Sequence, residues 1–177
     1  VPRYIETPAE SGAGKFPDLV KALAKELKAD GGGAQPLILE RGHWVTKSRD
    51  VTVIWDKWTS VPADARGEVI VAAYEQAEGK DYADTVLVAD GYTPAEALAL
   101  GLLPYVVAPA RVRPDQDLTE ARRKALALEA RRTVLGPKAK ELRYARVEDA
   151  DAAYRRLIDA IPNTAWAVHH RPDPTDE

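Results

Sequence analysis

The chain has 177 residues, with no Cys, no Met, one Phe, three His and Ala at 30 positions. At roughly 100–200 residues per domain, this length accommodates one domain or two very small ones. The missing Cys removes a disulfide framework, a thiolate metal site, a Cys nucleophile and thiolate ligation of an iron–sulfur cluster, and no apolar run approaches the ~20 residues of a membrane-spanning helix. The net charge of −3 hides an asymmetry. Residues 1–110 hold 11 basic and 16 acidic groups, residues 111–156 hold 13 and 8, and the last 21 residues hold one and four.

Residues 1–15 are short of large apolar side chains and read as a flexible arm. Gly14-Lys15 invites a phosphate-loop reading, but that loop needs a Gly where Ala9 stands and a hydroxyl where Phe16 stands. From Phe16 to Asp30, Leu19, Val20, Leu23, Ala24 and Leu27 recur at helical spacing behind Pro17. Pro36 to Val45 and Asp50 to Trp58 predict an antiparallel pair around the polar turn Thr46 to Arg49. Ser60 to Gly79 predicts a second helix with Val61, Ala65, Val69, Ile70, Ala73, Tyr74 and Ala77 on its apolar stripe. Thr85 to Ala89 reads as a buried strand, and Thr93-Pro94-Ala95-Glu96 as a capping box opening a short helix that Gly101 stops.

Tyr105 to Ala108 predicts a further strand, and Pro109 and Pro114 a linker. Thr119 caps a long helix through about Val134; Leu142 to Val147 reads as a strand, Asp149 to Ile161 as a helix and Thr164 to His169 as a closing strand. Residues 171–177 are a Pro/Asp tail.

One segment resembles a known family. Trp55-Asp56-Lys57-Trp58 ends the second strand, Arg66 follows eight residues after Trp58, and Tyr92-Thr93-Pro94-Ala95-Glu96 lies downstream. This order and spacing, over residues 16–97, is similar to the BolA family, and the resemblance implies a fold like that of type II KH domains. BolA-like proteins partner monothiol glutaredoxins through a shared iron–sulfur cluster. The family's His after the Arg is Gly67 here, its third-strand His falls in Thr85-Val86-Leu87-Val88, and its turn ligand falls near Thr46 to Arg49, which has neither Cys nor His. With both ligand positions empty, the resemblance is expected to carry the scaffold without the cluster or the glutaredoxin partnership. No cofactor and no metal are expected. The stretch Val147 to Tyr154 is similar to the strand-to-helix step of ferredoxin-like modules.

The candidate binding residues are His43, Trp44, Asp56, Trp58 and Arg66. Clustered Trp beside Lys47, Arg49 and Lys57 can stack bases, or serve as core with one interface Trp. Asp56 between two Trp can act as a general acid or base, or form a cap or a salt bridge to Arg66. His43 is a candidate base or ligand, or an ordinary strand-end residue. His169 and His170, adjacent on a strand, point to opposite faces and chelate poorly. The candidate nucleic-acid contacts are Arg122, Arg123, Lys124, Arg131 and Arg132, because clustered cations release phosphate counterions on binding; a solvated helix face with a Glu120/Lys124 pair is the preferred reading, because acids are interleaved throughout and the whole chain is acidic.

The expectation is a soluble, cytoplasmic α+β protein. Residues 16–108 form a helix–β-hairpin–helix–strand core, BolA- or type II KH-like. Residues 109–170 form a long basic helix and a strand–helix–strand extension packed on it, extending its sheet. The expected function is a non-catalytic regulatory module acting on a protein partner. The alternatives are a nucleic-acid-binding module using residues 111–156, and a small enzyme with Asp56, His43 and Arg66 in one cleft.

Overall fold

The computed structural model describes residues 4–5, 17–26, 36–43, 45–110, 119–135, 141–162 and 164–171. It is an α+β chain in two compact units, Val1–Pro94 and Ala95–Glu177. Among the described residues, no helix is long and apolar enough to cross a membrane.

The first unit runs β1 (Tyr4–Ile5), α1 (Pro17–Glu26), β2 (Leu37–His43), β3 (Ser48–Ile54), a 3-10 turn (Asp56–Ser60), α2 (Ala63–Glu78), α3 (Lys80–Ala83) and β4 (Val86–Tyr92). Its sheet has the order β1-β2-β3-β4. β2 and β3 form the antiparallel hairpin, with Lys47 at φ 53 in the turn. β4 pairs with β3 in parallel, which requires the α2–α3 crossover between them. The 1–15 arm is corrected in one place: Tyr4 and Ile5 pair antiparallel with His43 and Gly42.

Strand alternation decides what the sheet buries. Ile38 faces Val53 and Glu40 faces Val51 across the hairpin. Ile38, Val51 and Val53 join Leu19, Leu23, Ile70, Ala73, Tyr74, Trp55 and Trp58 in one core. The alternate set, with Leu39 opposite Thr52 and Arg41 opposite Asp50, lies on the other face. Trp55 and Trp58 fall beyond the strand because the chain turns at residue 56; the 3-10 turn swings both rings inward.

The first turns of α2 come unusually close to β4. A Cβ on Gly67 would lie 2.9 Å from the Ala89 carbonyl oxygen, and one on Gly91 would meet Arg66 Cβ at 2.9 Å. The Trp55 N–H donates to the Tyr92 carbonyl at 2.9 Å, continuing the parallel pairing. That turns the Tyr92 carbonyl toward β3 and, by alternation, the Gly91 and Ala89 carbonyls away from it. α2 therefore seals part of the outer rim of β4. The expected buried strand at Thr85 to Ala89 is corrected on this point: β4 ends its sheet, and Leu87 and Val88 are exposed.

The second unit holds α4 (Pro94–Ala99), β5 (Tyr105–Pro109), α5 (Glu120–Ala130), β6 (Leu142–Tyr144), α6 (Val147–Ala160) and β7 (Trp166–His170). Gly101, at φ 67, closes α4, and the Leu102 N–H returns to the Ala97 carbonyl at 2.9 Å. The Thr119 hydroxyl accepts the Arg122 N–H at 3.3 Å and caps α5. The sheet order is β6-β5-β7, with both pairings antiparallel. The division expected at residue 108 is therefore corrected, because β5 pairs with β6 and β7. The second unit does not extend the first sheet but builds its own. Its core is Val107, Ala130, Leu142, Tyr144, Ala150, Ala153, Leu157 and Trp166. β6 is shorter than expected, since Val147 already belongs to α6.

Replacing Gly67 with Ala forces a methyl group against backbone that cannot rotate away. Gly67→Ala is expected to cost about 1–3 kcal/mol, read as a lowered urea midpoint with an unchanged m value.

Candidate functional site

The named residues do not converge. His43 ends β2 and its Nε2 lies 2.9 Å from Asp50 Oδ2, a diagonal pair across the hairpin. Asp56 is exposed at the opposite end of that hairpin, beyond the Leu37/Ile54 pair. Six strand residues separate the two ends, about 20 Å at ~3.3 Å each. A single cleft holding Asp56, His43 and Arg66 is thereby corrected. Trp58 is fully buried, and its Nε1–H donates to the Val53 carbonyl at 2.9 Å. It is core, as is Trp55, and offers no stacking surface. Trp44 lies outside the described residues.

Arg66 is buried. Its Nε donates to the Val61 carbonyl at 3.0 Å and its Nη1 to the Gly91 carbonyl at 2.9 Å. A guanidinium suits this place because its fork satisfies two carbonyls from different elements at once. The residue ties the entry of α2 to the rim of β4.

A second group of side chains assembles where no candidate was expected. Glu40 of β2, Arg49 of β3, Tyr74 of α2, Tyr82 of α3 and Thr85 meet on the helix-covered face of the first sheet. The Tyr74 hydroxyl donates to Glu40 Oε1 at 2.5 Å, and Arg49 Nη1 to Glu40 Oε2 at 3.3 Å. Arg49 Nη1 also donates to the Tyr82 hydroxyl. The guanidinium carbon sits 3.7 Å from the centre of the Tyr82 ring, and that ring stacks on Tyr74 at 6.0 Å. Arg49 Nε donates to Thr85 Oγ1 at 2.9 Å. The signal was present in β2: Glu40 follows Ile38 by two residues, so it must face the core and must be partnered there.

The second unit repeats the device. Glu129 lies on the inward stripe of α5 and is buried. It accepts Arg156 Nη2 at 2.5 Å and Nε at 3.1 Å, a bidentate pair, with the Tyr144 hydroxyl at 3.5 Å and Arg132 at 3.8 Å. Burial, with Glu129 beside it, raises the Tyr144 pKa well above the ordinary tyrosine value. Burial and the hydrogen bond to Glu40 do the same for Tyr74, and burial with the Glu40 charge raises Tyr82.

Several of the cations counted toward a nucleic-acid surface are ion-paired, some of them at the surface rather than to an inward acid. Lys124 pairs with Glu120 at 2.7 Å, Arg143 with Glu141 at 3.1 Å and Arg146 with Glu148 at 3.5 Å. Arg122 lies 5.9 Å over the Trp166 ring. Arg123 and Arg131 project from the exposed side of α5. Arg111, Arg113, Lys138 and Lys140 lie outside the described residues. His169 and His170 pair with Val106 and Tyr105 on opposite faces of the second sheet, and the His170 ring packs 5.1 Å from that of Tyr105.

No family model matches the chain, and no curated protein or solved structure matches it. The chemistry is therefore read from the residues alone. Among the described residues, no group of three or more His, Asp or Glu side chains is placed to hold a metal ion. Every buried side-chain polar atom among them has a hydrogen-bond partner. The inward charges are spent on the fold. Large apolar side chains are exposed at Val45, Leu87, Val88, Leu100, Leu128 and Val147.

The tyrosines set an alkaline limit. Their neutral form is favoured in the folded chain, so the stability they contribute is intact below pH 10.0, the ordinary tyrosine value, and is lost as the pH rises toward the higher folded values. Urea midpoints are expected to fall with pH above that point. Tyr144→Phe is expected to flatten the slope while lowering the midpoint at neutral pH by about 1 kcal/mol of stability for the lost bond to Glu129.

Proposed function

We propose that the chain is a non-catalytic binding module that acts on a protein partner. The observation that supports this most directly is the exposure of two consecutive apolar residues on β4, Leu87 at 68% and Val88 at 44%. β4 ends its sheet, and such strands are normally blunted. Here the Gly91 carbonyl is taken by Arg66, Gly67 covers Ala89, and a register shift lies opposite Leu87. These features oppose indiscriminate strand addition, yet the two side chains stay in water. A side-chain docking surface accounts for both facts.

The first unit is proposed to be a BolA-like, type II KH-like scaffold. Its order supports the reading: helix, antiparallel hairpin, helix pair, then a parallel strand. The Gly at position 67, where the family has His, has a packing reason in the Ala89 carbonyl beneath it. The nucleic-acid reading is kept as the alternative because Arg123 and Arg131 face outward.

Affinity purification from the native cell, with nuclease-treated and untreated lysates side by side, tests the proposal. The same protein is expected from both lysates, and its recovery is expected to be lost with Leu87→Lys and Val88→Lys together. Recovery only from untreated lysate would shift the reading to nucleic acid. Recovery of nothing specific from either would overturn it.

A further inference from the structure

We infer that the chain also pairs with a second copy of itself, by antiparallel addition of β7 to β7, which joins the second sheets of the two copies into one. The inference goes beyond the protein-partner reading and uses a different edge.

A strand at the end of a sheet offers its backbone to another chain, and natural edges carry devices that prevent this. Among the described residues, the two sheets end on β1, β4, β6 and β7. β1 has two residues and β6 has three, all of them buried in β6. β4 has Arg66 on the Gly91 carbonyl, Gly67 against the Ala89 carbonyl and a register shift. β7 carries none of these devices. Its five residues, Trp166 to His170, include no Pro, Lys, Arg, Asp or Glu, and its pairing with β5 runs without a shift. His169 and His170 are exposed, and Ala167 and Val168 are half-buried.

The backbone phase of β7 follows from its two ends. The Ala110 N–H donates to the Ala165 carbonyl at 2.8 Å, and the Arg171 N–H donates to the Pro104 carbonyl at 2.7 Å. Ala165, Ala167, His169 and Arg171 therefore turn their backbone toward β5, and by alternation Trp166, Val168 and His170 turn theirs outward. No strand lies on that side among the described residues. Outward residues at this even spacing are their own complement about a twofold axis. With Val168 facing Val168 of the second copy, Trp166 of each faces His170 of the other, and every such pair exchanges two hydrogen bonds. Sliding the copies two residues one way brings in Pro172, which has no N–H, and sliding them the other way brings in Thr164, which lies outside the strand. The twofold register thus makes the most bonds, sets no formal charges of β7 together and closes as a pair.

The contact is small, so weak association is expected, read by sedimentation equilibrium of the full chain from about 10 μM to about 1 mM. The mean mass is expected to rise toward that of two copies. His170→Pro removes an N–H that points away from β5, and is expected to weaken association roughly tenfold or more, with circular dichroism checking the fold. The chain has no Cys, which allows a separate check of register. In the twofold pairing Ala167 lies opposite His169 of the second copy, with Cα atoms about 4.5 Å apart and within disulfide reach. Ala167→Cys mixed with His169→Cys, in oxidised glutathione, is expected to cross-link between the two variants more than either does with itself. Leu87→Lys with Val88→Lys is expected to leave association unchanged, which separates this contact from the β4 surface. A wild-type chain that stays monomeric at the highest concentration, or cross-links with no preference for the mixed pair, would overturn the inference. Association that survives in folded His170→Pro, or is lost with the β4 variant, would do the same.

Discussion

The first unit depends on how closely α2 can approach β4. A parallel strand needs a crossover, and the crossover must come down on the sheet it has just left. Gly67 lets the helix backbone settle against the Ala89 carbonyl, and Gly91 leaves room for Arg66 and Trp58. Arg66 then satisfies a rim carbonyl that faces no strand. The Trp58 ring beneath uses its one polar atom on the Val53 carbonyl, so the contact is dry and fully bonded. Larger residues at either glycine would push α2 outward, opening the core above Ile70 and Trp58 and exposing the edge that α2 now covers.

Both units solve the problem of an inward carboxylate in the same manner. Glu40 meets Arg49 and two tyrosines; Glu129 meets Arg156, Arg132 and one tyrosine. In each, the partners come from different elements, so the carboxylate joins parts of the fold that hydrophobic contact alone would leave free to slide. The basic balance of residues 111–156 looks different in this light, since part of it neutralises buried Glu129 and half-buried Glu141. A charge count along a chain does not separate cations that face solvent from cations that answer an interior acid.

The elements themselves were legible because hydrophobic periodicity is local. α1, the hairpin, α2, β5, α5 and α6 stand close to where their patterns place them. What was not legible is what depends on neighbours. Thr85 to Ala89 has the composition of a central strand, yet among the described residues β4 has a strand on one side only, and composition carries no information about that. β5 follows the first unit directly in sequence, whereas both its hydrogen-bonding partners, β6 and β7, lie downstream. Asp56 and His43 are near in sequence but far apart in space, because an antiparallel hairpin sends its entrance and its tip to opposite ends. Glu40 and Glu129 were the overlooked sites, although each sits at an apolar-period position. An acid in phase with Ile38, or with Leu126 and Ala130, must face inward and requires a named partner.

The bidentate grip of Arg156 on Glu129 also limits how this chain can drift. Loss of the arginine alone leaves a buried carboxylate short of donors. Loss of the glutamate alone leaves the Arg156 fork free to turn to water, since that side chain is 43% exposed. Homologous chains that keep the glutamate should therefore keep the arginine, whereas chains that lose the glutamate are free to vary at position 156.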